Sequence, residues 1–215
     1  MTTALEDVRS STLTNESTLP VAILLHGFGS NQHDMSGLAQ NLGLATPWAS
    51  LRAPLTLGNG GAAWFEIVTP GDPDAGPVVE ATDAIWAWVE ANIAPEAPII
   101  AIGFSQGGLM ASQLLRSRPE RVAATIVLGG FVLGAEQPGD EWLADNRPAV
   151  FWGRGAEDRV IGQPAIARTS GYLPAHSALT EKIYPGLAHG INVDELIDVR
   201  AYLSEHVGAD VVATR

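Results

Sequence analysis

The chain has 215 residues, no cysteine and a formal net charge of −12, and 46% of its residues are hydrophobic. That length suits one domain with a sizeable core, and the missing thiols exclude disulfides, thiolate metal sites and a cysteine nucleophile. The acidic balance speaks against nucleic acid and anionic membrane surfaces, both of which attract basic patches. The first residues carry Glu6 and Asp7 where a secretory leader needs positive charge. No apolar run approaches the ~20 residues that span a bilayer, so the expectation is a soluble, cytoplasmic protein.

Residues 1–18, rich in Ser, Thr and charge, are expected to form an N-terminal arm or edge strand, with the main domain over 19–208 and a C-terminal tail over 209–215. Residues 21–25 are a continuous apolar run, as in a strand buried on both faces. The segment His26-Gly27-Phe28-Gly29 follows, and a helix is expected from Ser30-Asn31 to about Leu42. A short strand over 48–53 stops at Pro54. The stretch from 54 to 77 is dense in Gly and Pro around Ala63-Trp64-Phe65-Glu66-Ile67, and a loop this long inside a compact domain is usually functional. Residues 78–93 read as a helix with Ile85, Val89 and Ile93 on one face, and 99–102 as a strand. A helix over 106–116 and a strand over 123–128 come next, then Gly129-Gly130-Phe131-Val132 and a polar loop in which Asp140, Glu141 and Asp145 look solvated. A strand over 149–152, a helix over 163–173 and a strand over 179–184 complete the alternation. The last helix runs from Asn192 to Val207, with Asn192 and Glu195 spaced as a capping box and Leu196, Val199, Leu203 and Val207 as its buried stripe.

Strands alternating with helices through short connections define an α/β fold: a mostly parallel central sheet flanked by helices on both faces, with no large lid domain. In such sheets the site lies beyond the carboxyl ends of the strands. Beyond the 99–102 strand stands Gly103-x-Ser105-x-Gly107, the pattern of a nucleophile elbow in the α/β-hydrolase fold. Its strained strand-to-helix turn pushes a serine hydroxyl out above the sheet. Asp158 follows the 149–152 strand, and His189 follows the 179–184 strand. The order Ser…Asp…His is that of an α/β-hydrolase triad, in which imidazole takes the serine proton and the carboxylate fixes its tautomer. The amide of Gln106, at a helix N-terminus, is one expected oxyanion donor. The amide of Phe28, in the loop after the first buried strand, is the other, with His26 tying that loop down.

Taken singly, His189 reads as a surface residue and Asp158 as a turn former; together, in these loops and this order, they point to one site. Glu157 would point away if Asp158 points inward. Asp194 suits the first turn of the last helix, and His33, His176 and His206 fall on helices or their ends. Gly27-x-Gly29 after a strand also suggests a dinucleotide site, but the third glycine that fingerprint needs is replaced by Gln32. Five histidines with no His-x-x-x-His spacing give no metal cluster.

With these pieces in place the chain resembles the phospholipase/carboxylesterase family of α/β hydrolases, which includes bacterial carboxylesterases and acyl-protein thioesterases. The resemblance runs from about Val21 to Leu203. It is carried by Leu25-His26-Gly27-Phe28-Gly29, Ala63-Trp64-Phe65-Glu66-Ile67, Gly103-Phe104-Ser105-Gln106-Gly107-Gly108, the segment 153–161, and Tyr184-Pro185-Gly186-Leu187-Ala188-His189-Gly190. It implies a Ser105–Asp158–His189 triad, an oxyanion hole from the Phe28 and Gln106 amides, and a cofactor-free serine esterase, often a homodimer, for short- to medium-chain carboxylic esters. An acyl-protein thioesterase or a lysophospholipase is the alternative on the same scaffold, and an inactive hydrolase-fold binding protein the alternative of another class. A dienelactone hydrolase would usually carry cysteine in place of Ser105. Phe28 stands where leucine is commoner in the family, Glu66 where aspartate is usual, and Gly162 where proline is usual. Trp64, Phe65 and Phe131, in loops at the same sheet edge, are expected to line the acyl slot.

Overall fold

The computed structural model describes residues 4–58 and 60–213. Seven strands form one sheet in the order β1-β3-β2-β6-β7-β8-β9. These are β1 (Asp7–Arg9), β2 (Val21–Leu25), β3 (Trp48–Leu51), β6 (Ile99–Phe104), β7 (Val122–Leu128), β8 (Ala149–Gly155) and β9 (Ala178–Tyr184). All neighbours run parallel except β1, which pairs antiparallel with β3 at the edge. Two further strands, β4 (Leu55–Thr56) and β5 (Ala62–Ala63), close a small hairpin inside the long Gly- and Pro-rich loop.

Alternation in β2 explains why its apolar run is continuous. Val21, Ile23 and Leu25 face one layer of the core, Ala22 and Leu24 the other, and all five are buried. The helices α2 (Ala75–Asn92), α3 (Gln106–Ser117) and α5 (Gln163–His176) cover the first layer. On the second layer lie α1 (Gln32–Leu42) and α6 (Val193–His206). Asn31 caps α1 by accepting the His33 amide at 2.9 Å, and Asn192 caps α6 by accepting the Glu195 amide at 2.9 Å. No helix among the described residues is long and apolar enough to cross a membrane.

Several expectations need correcting. The strand ends run on to Phe104 and Gly155, because pairing with β7 and β9 continues past the apolar positions. Asp140, Glu141 and Asp145 lie on a short helix, α4 (Asp140–Asn146), rather than in a solvated loop. Asp140 is held by Arg116 at 2.7 and 2.8 Å and by the Tyr172 hydroxyl at 2.5 Å. Helix α5 continues through Pro174 to His176. Of the arm or edge strand over 1–18 and the tail over 209–215, residues 1–3 and 214–215 lie outside the described residues, and β1 is an edge strand of the sheet. Leu5 and Leu13 are buried, and Val211 and Val212 are buried beside a bridge from Val212 to Leu44.

Registers decide where the chemistry gathers. Leu25 pairs with Gly103, Leu128 with Gly153, and Gly155 with Tyr184. The loops leaving β2, β6, β7, β8 and β9 therefore open along one edge of the sheet.

Candidate active site

Ser105 sits between β6 and α3 with φ 55° and ψ −116°, a left-handed conformation that costs a non-glycine residue roughly 1–3 kcal/mol. The strain is sustained because both flanks are fixed. The Ser105 amide donates to Leu128 O at 2.8 Å, and the two glycines allow contacts that no other residue could. A Cβ on Gly103 would land on Gly107 O, and one on Gly107 on Leu25 O, both inside van der Waals contact. The serine is thus set at the head of α3 by backbone packing alone.

The three candidate catalytic side chains meet in one chain of hydrogen bonds. His189 Nε2 lies 2.8 Å from Ser105 Oγ, and His189 Nδ1 lies 2.7 Å from Asp158 Oδ2. Their partners fix the proton positions. A carboxylate only accepts, so Nδ1 carries the hydrogen, leaving the Nε2 lone pair free to accept the serine O–H. Asp158 is 3% exposed at its side chain, and its other oxygen accepts the Val160 and Ile161 amides at 2.8 and 3.2 Å. The Phe104 ring packs 4.9 Å from the imidazole. Glu157, by contrast, is exposed.

The backbone N–H groups of Phe28 and Gln106 have no acceptor among the described residues. Both flank Ser105, one in the β2–α1 loop and the other at the first turn of α3. The loop carrying Phe28 is anchored by His26, which is fully buried. Its Nδ1 faces Gly27 O at 2.8 Å and must donate; its Nε2 receives the Ala53 amide at 3.0 Å and must be unprotonated. Burial lowers its pKa, in keeping with this neutral tautomer.

The Gln106 side chain has a role that the sequence did not reveal. Its Oε1 accepts the Trp64 amide and its Nε2 donates to Phe65 O, both at 2.8 Å, so the long loop is stitched to the elbow. A polar residue directly after Ser105 was the available signal, but its partners are about 40 residues away in sequence. Arg168 was also missed. It donates to Val132 O at 2.9 Å and to Gly71 O at 2.6 Å, tying two cavity walls to α5.

Ser105 and His189 border a cavity of about 410 Å³ whose walls include Phe28, Phe65, Ile67, Phe131 and Ile161. Phe65 and Phe131 both border this cavity. Trp64 does not: it is fully buried, its indole N–H donates to His26 O at 2.9 Å, and it borders a neighbouring cavity behind Phe65. The indole nitrogen needs a buried acceptor, and His26 O supplies it. Among the described residues no three His, Asp or Glu side chains gather as a metal site would need.

A parallel sheet with flanking helices, carrying a strained serine at a strand-to-helix turn, defines the α/β-hydrolase class. Within it, a model of the phospholipase/carboxylesterase family matches residues 10–207, and the chain belongs to that family. One relative is acyl-protein thioesterase 1 of Kluyveromyces lactis, 28% identical over 209 residues, which are 86% of this chain and 91% of that protein. Another is a probable carboxylesterase of Oryza sativa subsp. japonica, 25% identical over 184 residues, 76% of this chain and 67% of that protein. The crystal structure of the Bacillus cereus carboxylesterase shares the fold with a TM-score of 0.78 at 18% identity, covering 95% of each chain. The chain is a hydrolase of this superfamily.

Proposed function

We propose that the protein is a serine carboxylesterase that cleaves short- to medium-chain carboxylic esters through an acyl-enzyme. The observation that carries this is the hydrogen-bonded series Ser105–His189–Asp158 opening onto the 410 Å³ apolar cavity. His189 takes the Ser105 proton as Oγ adds to the carbonyl carbon, and Asp158 stabilises the imidazolium. The Phe28 and Gln106 amides receive the oxyanion, where one donor is commonly worth ~10²–10³ in turnover. His189 then delivers its proton to the departing alkoxide or thiolate. A water, deprotonated by the same imidazole, releases the acid and restores the serine. No cofactor enters this scheme, and a homodimer is compatible with it.

A thioester reading on the same residues is supported by the Kluyveromyces lactis relative, named as an acyl-protein thioesterase. The test is an acyl series from acetyl to palmitoyl, presented as p-nitrophenyl esters and as neutral N-acetylcysteamine thioesters, with Ser105→Ala alongside. Turnover that peaks at short or medium esters and falls roughly 10⁴–10⁶-fold in the variant is the expected result. A long-chain thioester optimum would shift the assignment to the thioesterases. Silence from a folded protein would make it an inactive binding protein.

A further inference from the structure

A second cavity, about 340 Å³, meets the first at the reacting pair. The two share Phe28, Ser105 and His189 and no other wall. The first is built from the 65–73 loop, Phe131 and the 160–161 segment. The second is built from the 27–38 segment, Phe104 and Ile191. An ester held with its carbonyl carbon at Ser105 Oγ has two arms, one acyl and one leaving group, and two cavities that touch at that atom offer one arm each.

Their chemistry differs. Apart from His189, no ionisable side chain among the described residues borders the first cavity. Asp34 borders the second, on the first turn of α1. One of its oxygens accepts the Ser30 hydroxyl at 2.6 Å, while the other has no protein partner among the described residues. Among the described residues, no Lys or Arg borders either cavity. Beside Asp34, Ser30 and the reacting pair, the walls of the second cavity are apolar, with Met35, Leu38, Phe104 and Ile191 among them.

Resting on the esterase reading above, we propose that the second cavity is the leaving-group site and that Asp34 selects its charge. It favours alcohols or thiols that carry a cation on a compact apolar body, such as quaternary amino alcohols, and disfavours anionic ones such as phosphorylated thiols. The acyl chain takes the apolar cavity. In the reaction the C–O bond to the amino alcohol breaks as the Ser105 acyl bond forms. The proton that His189 removed from Ser105 leaves on the alcohol oxygen. Asp34 takes no part in proton transfer; it attracts the cation while the arm is bound.

The experiment compares kcat/KM for three butyrate esters of similar size, with 2-(trimethylammonio)ethyl, 3,3-dimethylbutyl and 2-sulfoethyl leaving groups. The net charge of −12 acts on every cationic substrate, so the readout is the change in the cation-to-neutral ratio on Asp34→Asn. Glu205→Gln, which removes the same charge at the exposed far end of α6, serves as the control. At the separations of one cavity, a single charge in partly solvated surroundings gives about a three- to tenfold preference. The ratio should fall by that factor in Asp34→Asn, fall further in Asp34→Lys, stay put in Glu205→Gln, and shrink with added salt in the parent enzyme.

An equal ratio in parent and Asp34→Asn, with all esters turned over, overturns the charge selection and leaves the esterase reading intact. A preference that follows the cation when it is moved to the acyl arm, as in ethyl 4-(trimethylammonio)butanoate, overturns the assignment of the arms. Failure to cleave any ester overturns the esterase reading and this inference with it.

Discussion

Glu195 gives the sharpest quantitative prediction. Its backbone amide is capped by Asn192, but its side chain turns inward instead of reaching back to complete the box. The residue is fully buried against Gly153 of β8, and neither carboxyl oxygen has a hydrogen-bond partner among the described residues. Burial, with a smaller contribution from Asp198, raises its pKa from 4.5 to about 8. Below pH 4.5 the carboxyl is protonated whether the chain is folded or not, and no stability depends on it. Between 4.5 and 8 the unfolded chain ionises while the folded one keeps its proton, so stability falls with rising pH and levels off above 8. Integrated from pH 6 to pH 8, that shift costs about 2 kcal/mol, or roughly 4–8 °C in Tm for a chain this long. Urea titrations of the parent and Glu195→Gln at several pH values from 6 to 9 would measure it. The variant loses some stability at low pH, because a buried amide lacks partners, but its stability falls less steeply with pH. The two curves should converge by about 2 kcal/mol from pH 6 to 8. Parallel curves would refute the claim that Glu195 is protonated in the fold.

Two further predictions concern the elbow and its bracing. Gly107→Ala places a methyl against Leu25 O, so β2 and α3 must separate; urea denaturation should show a loss of about 3 kcal/mol or more, with activity falling in parallel. Gln106→Ala strips the Trp64 amide and Phe65 carbonyl of their buried partners, costing about 1–3 kcal/mol for each group left unpaired. The freed loop carries Phe65 of the proposed acyl cavity, so KM for butyrate esters should rise more than kcat falls, and the opposite split would argue against a role in holding the wall.

The alternation of strands and helices was legible because most strands in the sheet interior are largely apolar runs, as β2 and β6 are. The elbow was legible because its motif is local, although the contact that requires Gly107, with Leu25 O, comes from another strand. The order of Ser105, Asp158 and His189 could be read for a related reason: a parallel sheet delivers every strand end to the same edge, so position after a strand already predicts proximity. What the sequence could not determine were features that depend on partners distant along the chain. Trp64 was expected in the acyl slot because it is aromatic and adjacent to Phe65, but its indole N–H found a buried acceptor at His26. Asp140 looked like part of an acidic surface until packing brought Arg116 and Tyr172 to it. Glu195 fitted a local capping pattern, and only the approach of β8 to α6 shows that its carboxyl is buried instead. Asp34 carries no signal in the sequence, and only the folded chain places it beside the cavity that reaches Ser105. Local sequence fixes backbone geometry and periodicity; which polar group meets which is decided by the tertiary fold, where desolvation makes each buried group depend on the partner that arrives.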